Sequence, residues 1–150
     1  MRITRRTFGR SVLASAAAAG ATARGAADEP PIIDTHVHLW DLDRFRLPWL
    51  KPGEPLARNH LAADYLEAAE GLGVERTGYM EVDVEPSQHV AEAEYVLDLW
   101  RRGAARLAGA VIGGGPASDG FAAYLDRFRD EPAVKGVRQV QVRFSAQMVA

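Results

Sequence analysis

Asp34, His36 and His38 stand at positions i, i+2 and i+4. Alternate side chains of a strand share one face, so this spacing predicts three polar groups in a row. Ile33, Thr35 and Val37 then face the other way, towards helices. Two imidazoles so placed can both reach one metal ion, and Asp34 can orient an imidazole through its second nitrogen. The simpler alternative is a pair of histidines satisfied by hydrogen bonds in a polar core. Its place at the end of a first strand makes the trio a candidate metal or active site.

Alternating elements must position that trio. Residues 31–39 read as a strand, and residues 61–72 as a helix with Asn59 as its N-cap. Residues 76–84 form a second strand, and residues 87–102 a helix with Val90, Ala93, Val96, Leu97 and Trp100 on one face. A third strand over 106–112 ends at Gly113, Gly114 and Gly115, which read as a strained turn. Ser118 caps a third helix that stops before Pro132, and residues 134–143 make a fourth strand. Strands that alternate with helices predict a parallel α/β sheet, either Rossmann-like or part of a (β/α)8 barrel. No Gly-x-Gly-x-x-Gly follows the first strand, which lowers the dinucleotide option. The long segment from Trp40 to Arg58 is the one extended loop. Its Trp40, Phe45, Trp49, Arg44 and Arg46 either contact a small polar ligand or form a surface flap packed by its own aromatics.

Composition narrows the function. The 150 residues are 47% apolar and 25% charged, with no cysteine. Disulfide scaffolds, cysteine nucleophiles and thiolate metal sites are excluded. No apolar run is long enough for a transmembrane helix. Residues 1–27 carry Arg2, Arg5, Arg6, Arg10 and Arg24 and no acid. The remaining 13 basic residues face all 20 acids, a charge of −7 for the body, which argues against nucleic acid as a partner. Paired arginines, Phe8, an Ala-rich stretch and small residues near Ala27 predict a twin-arginine-type export signal over 1–27 and a periplasmic protein. Residues 28–150 are then the folded domain.

The segment from Ile33 to Asp41 resembles the opening of the amidohydrolase superfamily, in its amidohydrolase-2 group. Pro48-Trp49-Leu50, Glu81, Glu92 and Lys135-Gly136-Val137-Arg138 are similar to the sugar-lactonase-like branch. The resemblance covers roughly residues 31–142. It implies a (β/α)8 TIM-barrel hydrolase with its site at the strand C-terminal ends. It implies lactone (cyclic ester) hydrolysis on a small substrate such as a sugar lactone, with decarboxylation as the enzymatic alternative. His36 and His38 match the first two metal positions, for a divalent, zinc-like ion. The branch is not uniformly metal-dependent, and without a metal these histidines bind substrate directly. Arg138 matches a family arginine near strand four that holds substrate oxygens, and Glu81 and Trp40 are candidate substrate contacts. Lys135 falls at the wrong strand end for a bridging lysine. His60 and His89 read as solvated, and Glu92 as a helix-face charge or a loop-orienting residue.

The superfamily pattern continues with further histidines and an aspartate that often serves as general base. A full barrel needs ~250 residues, whereas 123 follow the leader here. The expectation is therefore a barrel truncated to about its first four β/α units, with weak or no activity. Three explanations are open: a gene fragment, a chain that closes a barrel with itself or a second chain, and a non-catalytic half-barrel binding module.

Overall fold

In the computed structural model the described residues are 30–140. The leader expected over 1–27 and the end of the fourth expected strand lie outside them. Strand β1 spans Ile32–Val37, helix α1 Ala62–Ala68, β2 Val74–Met80, α2 His89–Arg101, β3 Leu107–Gly113, α3 Phe121–Phe128 and β4 Val134–Arg138. All four strands are parallel and stand in the order β1-β2-β3-β4. This is the α/β arrangement expected for the first units of a TIM barrel. Among the described residues, no helix is long and apolar enough to cross a membrane.

The elements follow from local chemistry. In α2 the side chains Ala93, Val96 and Leu97 recur at helical spacing and are buried against the sheet. The helix closes at Arg102, and Gly103 follows in the left-handed conformation (φ +66°) that a side chain resists. Helix α1 begins one way and was expected another. Asn59 does not cap it; its side-chain oxygen accepts the Leu42 N–H at 2.7 Å, across the long loop. Asp64 instead reaches back to the Leu61 N–H at 2.6 Å. Ser118 likewise caps nothing, and its hydroxyl donates to the Gly115 carbonyl at 2.7 Å. The glycines at 113–115 make no left-handed turn. They are small for packing: a Cβ on Gly114 would meet Val137 at 2.7 Å.

The core lies between one face of the sheet and the helices, where Val37, Tyr79, Leu107, Ala110 and Ile112 meet Val96, Leu97 and Phe128. The opposite face carries Ile33, Thr35, Gly78, Ala108, Val111 and Lys135 along an open groove. β1 corrects the sequence reading here. Asp34 pairs with Thr77 and Val37 with Tyr79, three steps on β1 against two on β2. That irregularity inserts one residue and resets the alternation. Asp34 therefore faces the helices, where it accepts the Tyr65 hydroxyl at 3.0 Å, while Ile33 and Thr35 face the groove.

Candidate active site

The C-terminal ends of the strands bring three expected residues together. His38 follows β1, Glu81 follows β2, and Arg138 ends β4. With Trp40, Trp49, Leu56, Val82, Asp83 and Val140 they line a cavity of about 310 Å³. Trp40 forms part of the wall, buried, with its indole N–H donated to the Arg58 carbonyl at 2.8 Å. Trp49 meets it edge-on, ring centroids 6.0 Å apart.

The histidine pair has a defined orientation. A carbonyl only accepts, so the 3.0 Å contact between His38 Nδ1 and the Met80 oxygen places the proton on Nδ1. Nε2 of neutral His38 is then an acceptor, and it accepts the His36 Nε2–H at 3.1 Å. Burial lowers the His38 pKa against the pull of the Met80 carbonyl, and His36 and Arg138 lower it further, so the neutral form is favoured. Asp34 orients neither imidazole. Its carboxylate accepts the His36 backbone N–H at 3.1 Å and the Tyr65 hydroxyl, a consequence of the bulge.

Two zinc–nitrogen bonds of about 2.0–2.1 Å at a tetrahedral angle hold their nitrogens roughly 3.3 Å apart. The imidazole pair therefore fits a divalent ion as two of its ligands. Nothing nearby completes the set: no group of three or more His, Cys, Asp or Glu among the described residues is arranged to hold a metal. Glu81 is 1% exposed and already engaged. One carboxylate oxygen accepts the Arg138 Nε–H, and the other accepts the Asp83 N–H at 2.6 Å. Arg138 spans β3 to make that pair and leaves part of its guanidinium fork facing the cavity.

Asp83 was not anticipated. It lines the cavity with a left-handed backbone (φ +53°), and burial raises its pKa, with Glu81 adding to the effect. Its place two residues after Glu81 at a strand end was the available signal. Other expectations are corrected. Arg44 pairs with Asp41 and lies over Tyr95, and Arg46 pairs with Glu85, so neither arginine lines the cavity. His60 is not solvated: it forms an antiparallel bridge with Trp40, its ring lies tilted against the indole with centroids 4.3 Å apart, and its buried Nε2 has no hydrogen-bond partner. His89 is partly buried against the position of Gly113, and burial lowers its pKa. Glu92 is no helix-face charge. It is fully buried and holds the loop after β2. Lys135 sits near the start of β4 and donates to the Pro132 carbonyl at 2.7 Å, away from the cavity as expected.

Polar residues gathered at the C-terminal ends of a parallel sheet stand where α/β folds, barrels among them, place their sites. The amidohydrolase family profile matches residues 33–148, and the chain belongs to that family, as an N-terminal portion of its barrel. No curated protein and no solved structure matches the chain significantly. Amidohydrolase superfamily members commonly use divalent metals and act on small molecules.

Proposed function

We propose that this cavity binds a small cyclic ester, such as a sugar lactone, for hydrolysis. The observation that carries the reading is the convergence of His38, bonded to Met80 and to the exposed His36, and the Arg138–Glu81 pair on one aromatic-walled cavity. In the reaction a water oxygen bonds to the ester carbonyl carbon, the ring C–O bond breaks, and a proton passes to the released ring oxygen. The product is an open hydroxy acid. Arg138, held by Glu81 through its Nε–H and an Nη2–H, would offer its remaining N–H groups to substrate oxygens. Trp40 and Trp49 would pack against the ring. His36 and His38 would hold a divalent ion, whose chemistry is to polarise the carbonyl or activate water. Two nitrogens are fewer than the three protein ligands usual for catalytic zinc, so turnover by the chain as given is expected to be slow.

The test titrates the full chain with an aldonolactone, following the His38 and Trp49 resonances and, in parallel, acid release. Saturable shifts, weakened at least about tenfold (~1.4 kcal/mol) in Arg138→Met, are expected. Shifts that are absent, or that Arg138→Met and His38→Ala leave unchanged, would sink the reading.

We further propose that residues 1–27 direct folded export by the twin-arginine route, a reading supported by Arg5-Arg6 ahead of an Ala-rich stretch. Fused to a reporter that is active only when exported folded, the leader should deliver it. Arg5→Lys with Arg6→Lys should abolish delivery, and a reporter exported equally well by that variant would refute the assignment.

A further inference from the structure

Glu92 sits on α2, behind the cavity wall, and is fully buried. Its Oε1 accepts the Val82 N–H at 2.8 Å and the Tyr79 hydroxyl at 2.9 Å. Val82 is gripped from its other side as well, because its carbonyl accepts the Trp49 indole N–H at 2.8 Å. Val82 stands between Glu81 and Asp83, and all three line the cavity with Trp49. A helix carboxylate and a loop indole therefore meet through one residue. Glu92 and Trp49 thus hold the N–H and the carbonyl of the residue that joins Glu81 to Asp83.

The space around Glu92 is kept for it. A Cβ on Gly113 would lie 2.9 Å from Glu92 Oε2 and 3.3 Å from the His89 ring. Oε2 itself has no hydrogen-bond partner. A buried acid with no basic partner is costly, and an aliphatic side chain would fill the same volume without that cost. What an aliphatic side chain lacks is the acceptor that Val82 uses.

We propose that Glu92 is a positioning residue: it sets the Val82 backbone and, through it, places Trp49 and Glu81 around the cavity. The inference rests on this cavity being the functional site and not on its ligand being a lactone. The titratable groups around Glu92 are Tyr79, Glu81 and Asp83 from β2 and the segment after it, His89 on its own helix, and Tyr124 on α3.

The test follows indole N–H resonances of the full chain, with no ligand added, so its failure is separate from failure of the lactone reading. In Glu92→Leu the Trp49 resonance should move while that of Trp100 stays. Glu92→Gln, which keeps an acceptor for Val82, should restore the wild-type position. A folded Glu92→Leu with Trp49 unmoved overturns the proposal. Should the leucine variant not fold, the wild type decides by pH titration. A Trp49 shift present in wild type and absent in Glu92→Gln supports the proposal. An identical titration in both belongs to a histidine and overturns it.

Discussion

Glu92 shows how one buried group makes a whole chain sensitive to pH. Burial pushes its carboxyl up from 4.5 to about 7, helped by Glu81 and Asp83 and opposed by the Val82 N–H and the Tyr79 hydroxyl. The folded state thus holds this proton more tightly than the unfolded state does. Between pH 4.5 and 7 the unfolded chain binds fewer protons, so stability falls as pH rises through that window and levels off above it. The size of this effect is on the order of 3 kcal/mol. Urea denaturation should therefore show the wild type losing stability relative to Glu92→Gln from pH 5 to 8, about that much in all. Parallel pH profiles for the two proteins would contradict the account. At the same scale, the types of His36, His38, Glu81 and Arg138 were legible as chemistry. The environment of Glu92 was not, because its partners lie 10 and 13 residues back in the chain, on another element.

Among the elements, β3, β4 and α3 meet at Gly114. A Cβ there would lie 2.7 Å from Val137, 3.2 Å from Tyr124 and 3.3 Å from Phe121. Overpacking of this kind costs about 1–3 kcal/mol. Gly114→Ala should lower the urea midpoint accordingly, with Gly115→Ala as the mild control, since its Cβ meets nothing closer than 3.6 Å. Equal stability of the two variants would show that the joint yields freely. The long loop is also an element in its own right. Backbone hydrogen bonds between Trp40 and His60, both 2.9 Å, close its base. Phe45 and Leu47 pack with Trp40, Val82 and Val84 into a second core. The loop is packed by its own aromatics, as one of the two readings had it, and Trp40, Trp49 and Leu56 from it also wall the cavity.

At the scale of the whole molecule, the sheet of the described residues has one face covered by helices and the other carrying Ile33, 60% exposed, beside Thr35 and Val111. β1 and β4 are its edges. An apolar face beside unpaired strand edges favours association. Light scattering of the isolated chain should therefore report species larger than a monomer, and Ile33→Lys should shift the population towards monomer. A monodisperse wild-type monomer would remove the expectation that the chain closes its sheet with a partner.

Periodicity and punctuation were enough to read four strands and the three helices between them from the sequence, because spacing of apolar side chains at 2 and 3.6 residues is a local property. His36 and His38 were picked out by their spacing, and Glu81 and Arg138 by the resemblance to a family. The facing of Asp34 was not legible, because one extra residue in β1 relative to β2 depends on Asp34 pairing with Thr77 and Val37 with Tyr79, residues far apart in the chain. Nor were the cap at Asp64, the Trp40–His60 bridge or the grip of Glu92 on Val82. Each of these satisfies a backbone or buried polar group with whichever partner packing brings near, and the chain acquires that partner only when it folds.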